Sequence, residues 1–315
     1  MANPTVPQSL GSITNPFAGQ LQPRALKIGP YKTKPVPTGV FGLDGGAMFG
    51  TVPKILWEKT NPADAHNRIA MEARALLLDG GPGQRVMIDC GIGRDFIFKY
   101  GEKLGPKFAE MYNVSDSAGV EKSLNSYGLK LEDIDHVILT HLHFDHAGGA
   151  TTEKDGKLVP TFPKAKYYVQ RANLETARKP NLREKASYYS ANFEPLNEAG
   201  VLTILDGPVE NLLPGISVRT SDGHTVGQQI VLVSDAENTL VYCGDLIPTS
   251  THIRLPWVMG YDLQPLVLME EKRELLTPAA KGNWYLFFEH DPYMDAARVE
   301  ETKGDFAVRE RVTLS

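Results

Sequence analysis

The chain has 315 residues, 42% hydrophobic and 23% charged, with a formal net charge of -5. That make-up suits a folded protein with a sizeable core, and its weak acidic balance argues against nucleic-acid binding, which needs a basic surface. No apolar run nears the roughly 18 residues of a membrane helix. Two cysteines, Cys90 and Cys243, are too few for a disulfide framework and read as buried free thiols. No basic and apolar leader opens the chain, so a cytoplasmic location is the expectation.

Residues 1–25 are rich in Pro, Gly, Ser, Asn and Gln, with no charged side chain before Arg24. They read as a flexible arm ahead of a single domain over 26–315. Residues 26–57 form strand-like pieces broken by glycines, with Phe49 and Trp57 as candidate pocket walls. Residues 75–78 and 86–88 flank a Gly-Pro-Gly turn and predict a hairpin. Asp89-Cys90-Gly91 then reads as a strand end turning near a site. Val120, Leu124 and Tyr127 share one helical face that Gly128 ends. A strand over 136–140 follows.

Further on, residues 151–163 read as a loop, 166–170 as a strand and 171–178 as a helix stopped by Pro180. Residues 181–200, with Tyr188, Tyr189 and Phe193, suit a lid or pocket rim. From Val201 the pattern is strand-rich, at 201–205, 216–220, 229–233 and 239–242. A helix over 263–276 is expected, capped by Asp262, then a strand over 284–288. Residues 294–315 are ambiguous. Two β-rich blocks suggest a two-sheet sandwich with helices outside.

The most informative stretch is Thr140-His141-Leu142-His143-Phe144-Asp145-His146. His141 and His143 are two apart, so extended backbone points them the same way. Imidazole and carboxylate suit zinc, manganese or iron. Three histidines and an aspartate exceed one open tetrahedral site and suit two adjacent ions. Such a pair needs about six or seven protein ligands. His224 between glycines, Asp245 after 240–244, and His290 after 284–288 all stand at predicted strand ends, where scaffold-held sites collect. His66 reads as a surface residue and His136 as locally bonded. His252 reads as lining the site or contacting substrate.

Taken together, the motif at 140–146, Gly223-His224, Gly244-Asp245 and His290 resemble the metallo-β-lactamase-fold hydrolase superfamily across about residues 35–292. The resemblance implies an α/β fold: an αββα sandwich of two mixed β-sheets with helices on the outer faces. It assigns His141, His143 and His224 to one metal, Asp145, His146 and His290 to a second, and Asp245 to a bridge. Histidine at 143, rather than glutamate, favours hydrolysis over the di-iron redox branch. The stretch 43–57, and Asp245-Leu246-Ile247-Pro248-Thr249 with Pro256-Trp257-Val258-Met259 after it, resemble a quorum-quenching lactonase branch. Methyl parathion-type hydrolases are its neighbours. Other lactonases carry tyrosine where Pro248 stands, so His252 or Tyr261 is the expected substitute.

The expected cofactors are two zinc ions, with Mn2+, Co2+ or Fe2+ as alternatives. The expected catalytic residues are Asp145, Asp245 and His252. Met48, Phe49, Trp57, Trp257 and Met259 are the expected substrate pocket. The expected reaction opens a lactone, an N-acyl homoserine lactone first, or cleaves a related ester. The alternatives are phosphotriester or phosphodiester hydrolysis, or mononuclear iron redox chemistry. The expected partner is a small molecule, with neither nucleic acid nor membrane, and a homodimer is left open.

Overall fold

A computed structural model describes residues 15–114 and 119–315. The strand β1 (Leu21–Arg24) is followed by β2 (Lys27–Ile28) and the long β3 (Tyr31–Asp44). Short helices α1 (Gly45–Phe49) and α2 (Lys54–Trp57) then lead to β4 (Arg68–Asp79) and β5 (Arg85–Ile88). Next come α3 (Phe96–Tyr112), α4 (Gly119–Ser126), β6 (His136–Ile138) and α5 (Phe144–Ala147). They precede the hairpin β7 (Thr151–Lys154) and β8 (Lys157–Pro160), then β9 (Lys166–Gln170), α6 (Arg171–Arg178), α7 (Glu194–Glu198) and β10 (Leu202–Leu205). The second half holds β11 (Val209–Leu213), β12 (Ile216–Ser221), β13 (Gln228–Ser234), β14 (Thr239–Tyr242), α8 (Pro265–Gly282), β15 (Tyr285–Phe287), β16 (Ala296–Thr302) and β17 (Asp305–Leu314).

Two mixed sheets result. One runs β10-β9-β6-β5-β4-β3-β2 and the other β1-β17-β16-β15-β14-β13-β12-β11. Side chains alternate along a strand, so a sheet covered on both faces reads as a continuous apolar run. In β4, Leu76 and Leu78 face the core between the sheets, while Ala75 and Leu77 face the layer with α4, α6 and α7. In β14 and β15, Leu240, Tyr242, Tyr285 and Phe287 face that same inter-sheet core, and Val241 and Leu286 face α8. The architecture is the expected αββα sandwich.

Several expectations are corrected. Residues 21–24, expected in a flexible arm, form β1, which pairs in parallel with β17. Residues 1–14 lie outside the described residues. The segment 151–163, expected to be a loop, contains the β7–β8 hairpin, because its polar strands answer only to each other. Strand β10, expected in the second block, pairs with β9 on the first sheet. The ambiguous C-terminal segment is the β16–β17 hairpin. Helix α3 escaped the sequence reading because Gly101, at φ 82°, and Pro106 break its periodicity.

Direction within the sheets places the site. Strands β5, β6 and β9 run parallel. Strands β12 and β14 are each antiparallel to β13, and β15 is parallel to β14, so these three also share a direction. Their C-terminal ends converge on one edge of the sandwich.

Candidate metal centre and active site

Four of these strands stop at Ile138, Ser221, Tyr242 and Phe287, and His141, His224, Asp245 and His290 each stand three residues further on. Beyond His143, one helical turn, α5, redirects Asp145 and His146. Close backbone packing holds the motif in place. Cys90 N donates to His146 O and Gly149 N to Gly91 O, each at 2.8 Å. A Cβ on Gly149 would lie 2.1 Å from Cys90 O, and one on Gly148 2.1 Å from Ile92 O, so only glycine fits. Gly223 likewise lets the His224 loop sit on α8, where a Cβ would reach Leu268 Cα at 2.5 Å.

The seven residues form two adjoining clusters. His141, His143, His224 and Asp245 make one, and Asp145, His146 and His290 the other. His143 Nδ1 lies 3.1 Å from His141 Nε2 and 3.2 Å from His224 Nε2. His146 Nε2 and His290 Nε2 are 3.1 Å apart. Asp245 joins the clusters, with Oδ2 at 3.2 Å from His224 Nε2 and Oδ1 at 3.3 Å from His290 Nε2.

The far nitrogens decide what the near ones do. His224 Nδ1 donates to Asp262 Oδ1 at 2.9 Å, and His290 Nδ1 to Glu72 O at 2.8 Å. His146 Nδ1 faces Glu289 Oε2 at 2.8 Å and Asp89 Oδ2 at 3.1 Å. Thr140 Oγ1 gives its proton to Asp89 Oδ2, so it accepts from His141 Nδ1. The Nε2 atoms of His141, His146, His224 and His290, with His143 Nδ1, are thus the nitrogens left to present lone pairs to one another. Such a set is repulsive by itself and suits a shared cation. Tetrahedral bonds of about 2.0–2.1 Å separate ligand atoms by about 3.3–3.4 Å, close to the spacings seen here. Asp245 Oδ1 is buried without a hydrogen-bond partner, as an oxygen left free for a cation would be. The residues fit a pair of divalent ions.

The electrostatics agree. Burial disfavours a charged His290, but Asp245 and Glu289 outweigh it and push its pKa up to about 9. Burial beside Asp89 pushes Glu289 up to about 8, against the pull of His146. The clustered carboxylates draw positive charge onto the histidines, a place that a divalent cation would take in exchange for protons.

The pocket beside it has a volume of about 260 Å³ and holds Met48, Met259, Met71 and Leu43 as apolar wall, with Tyr112, Tyr261 and Arg183 toward the rim and Glu184 buried beside His143. Met48 and Met259 stand where expected. Phe49 and Trp57 do not line it. They stack on each other at 5.2 Å in the layer behind Met48. Trp257 turns to a different cavity. His252 is also corrected. Its Nε2 donates to Met48 O at 2.8 Å, its Nδ1 accepts from Thr249 Oγ1 at 2.7 Å, and its ring stacks on Phe49. Burial pushes it down to about 3, so it is a neutral packing residue with no free nitrogen for substrate. His66 is exposed, His136 bonds Tyr168, and both cysteines are buried and free, as expected.

Sequence reasoning missed the residues behind the ligands. Asp262 is no helix cap: Gln264 precedes α8, and Asp262 spends its oxygens on His224 and Met259 N. Asn173 of α6 accepts from Leu142 N and donates to Val226 O, tying the motif to the His224 loop. Asp89 and Glu289 had one available signal each, a strand-end turn and adjacency to His290.

A sandwich with two adjoining histidine and aspartate clusters at one strand edge, each able to hold a metal ion, defines a class of metal-dependent hydrolase. The chain matches the metallo-β-lactamase superfamily over residues 72–290, and it belongs to that family. It is similar to a probable metal-dependent hydrolase of Staphylococcus aureus, at 30% identity and a TM-score of 0.79, covering 90% of this chain and 99% of that one. It is 30% identical over 186 residues to an N-acyl homoserine lactonase of Bacillus cereus, covering 58% of this chain and 62% of that one. It shares the fold of AidC, a dizinc quorum-quenching lactonase, at 19% identity and a TM-score of 0.72, covering 91% of this chain and 97% of that one. No helix among the described residues is long and apolar enough to cross a membrane.

Proposed function

We propose that the chain is a dinuclear zinc hydrolase that opens a lactone, an N-acyl homoserine lactone first, or cleaves a related carboxylic ester. The observation that carries this reading is the split carboxylate of Asp245, one oxygen toward each cluster, beside a pocket with an apolar wall. His141, His143, His224 and Asp245 would hold one ion, and Asp145, His146, His290 and Asp245 the other. Two such ions supply an activated water at neutral pH and polarise the scissile group's oxygen. Asp145, at the pocket floor, receives the proton released on attack.

The remaining residues select and orient substrate. Met48, Met71, Met259 and Leu43 receive an acyl chain, and unbranched methionines adapt to its shape. Tyr112 and Tyr261 line the same pocket, and their hydroxyls make no hydrogen bond among the described residues. They are the donors available to a substrate carbonyl or leaving oxygen, with Tyr261 in the part left open at Pro248. The similarity to the Bacillus cereus lactonase supports the substrate class.

The test measures metal content beside a substrate panel of acyl homoserine lactones, aryl esters, a phosphotriester and a thioester. About two zinc per chain with lactone turnover is expected. Turnover of the phosphotriester alone, or one iron with oxygen consumption, would overturn the reading. Tyr261→Phe should lower kcat on the lactone about tenfold or more, with less change in KM.

A further inference from the structure

A larger cavity, of about 410 Å³, lies away from the metal centre between α2, the 250–257 segment and β17. Phe17, Leu56, Ile253, Trp257 and Phe306 give it an apolar and largely aromatic wall. Lys59, Arg254 and Arg311 also line it, and no aspartate or glutamate does. None of the three cations has an ion-pair partner among the described residues, whereas Arg24, Arg68, Arg74, Arg85, Arg171 and Arg178 all do.

Two of the cations lie over aromatic rings of the wall. The Arg311 guanidinium lies 4.3 Å from the Phe17 ring centroid and that of Arg254 5.2 Å from Trp257. A cation–π contact holds a guanidinium in place without using its N–H donors, which stay free for a bidentate acceptor. Arg311 Nε is buried and without a hydrogen-bond partner, which is costly unless something completes it. The nearby carboxylate of Asp291 is committed elsewhere, to Ser250 through Oδ2 and Tyr293 N through Oδ1. Residues 1–14 contain no acidic side chain to supply the missing charge.

The wall's hydroxyls are also spent. Thr60 donates to Trp57 O, Thr251 to Asn61 Oδ1 and Ser250 to Asp291 Oδ2. The free donors on the wall belong to the cations, and an ionised acceptor satisfies those better than a neutral polyol does. What remains is an aromatic floor with unpaired cations above it. We propose that this cavity is a second binding site, for an organic anion with a flat apolar body, an aryl carboxylate or aryl phosphate. The flat body packs against Phe17, Trp257 and Phe306, and the anionic head takes Arg254, Arg311 and Lys59. Trp257 stands two residues before Met259, and its ring meets Phe49 edge-on at 5.9 Å, so occupancy bears on the segment that walls the active site.

The experiment is calorimetric titration of the metal-loaded full chain with 2-naphthoate, naphthyl phosphate, 2-naphthamide and inorganic phosphate. Saturable binding of the two aryl anions is expected, with the neutral amide and inorganic phosphate each weaker by about tenfold or more. Arg311→Met and Arg254→Met should each weaken the aryl anions by about tenfold. Arg254 is exposed, so its replacement tests the site with the fold intact. Binding that both variants retain would place the anion elsewhere, at the metal centre, and overturn the proposal. So would equal affinity for the amide, equal affinity for inorganic phosphate, or no saturable binding.

Discussion

Replacing Arg74 by methionine should cost about 3–5 kcal/mol, the range for removing one partner of a buried ion pair. Arg74 reaches from the first sheet to the segment that carries His290. Its Nη1 donates to the carbonyls of Phe288, Asp291 and Met294 at 3.1, 2.8 and 3.2 Å. Its Nη2 pairs with Glu72, and its Nε lies 3.0 Å from Asp295 Oδ1. Methionine keeps the apolar stem and removes every one of these contacts. Asp295 retains Thr313 Oγ1 and Leu314 N, but Glu72 has no other ion partner among the described residues. Most of the cost therefore falls on Glu72 and on the three carbonyls.

Two consequences separate this account from simple loss of packing. Adding Glu72→Gln to Arg74→Met should restore about 1–2 kcal/mol, because a neutral amide is cheaper to bury than an orphaned carboxylate. Ions held by His290 should also dissociate sooner in the single variant, since the 288–294 segment loses its anchor. Urea unfolding of wild type, both single variants and the double variant measures the first. Chelator-driven metal release measures the second. A loss below about 1 kcal/mol for Arg74→Met, or a double variant no more stable than Arg74→Met, would refute the reasoning.

Asp262→Asn should leave the fold intact by circular dichroism and weaken metal retention about 10–100-fold in a chelator competition, because the neutral amide has one acceptor oxygen for two donors, His224 Nδ1 and Met259 N. Gly149→Ala should destabilise by at least about 2 kcal/mol in denaturant unfolding and lower bound metal, since its Cβ would meet Cys90 O. Asp79 is held below the usual carboxylate range: burial opposes this, but Gly81 N, Arg85 and Lys34 outweigh it. Its contribution is complete above the unfolded pKa of about 3.9 and is lost as pH falls through the lower folded value. Asp79→Asn should therefore flatten the acid limb of stability below about pH 4 in unfolding curves taken across pH, relative to wild type.

Much of the metal cradle was legible in the sequence. His141, His143, Asp145 and His146 are close in the chain, and His224, Asp245 and His290 each follow an apolar strand. A histidine three residues past a strand end is a local pattern, and local patterns survive without tertiary information. The sandwich was legible for the same reason: β4, β14 and β15 are apolar on both faces, which demands a layer on each side. Helix α3 and the β7–β8 hairpin were not legible, because neither carries a clean apolar period.

The pocket was only half legible. Met48 and Met259 were found, but Phe49, Trp57, Trp257 and His252 were placed in it wrongly. All six come from segments that cross one another, and the face each residue turns to the pocket depends on that crossing. Asp262 shows the same limit. Thirty-eight residues separate it from His224, and beside Pro265 it read as a helix cap. The sequence alone therefore determined the types of the candidate ligands, their strand-end positions and the two-sheet class, all set by chemistry and period within a few residues. The tertiary structure alone decided which carboxylates face those side chains, which residues wall the pocket, and that three cations line one aromatic cavity with no aspartate or glutamate among its described lining residues. Those depend on distances between segments far apart in the chain, which local propensity does not encode.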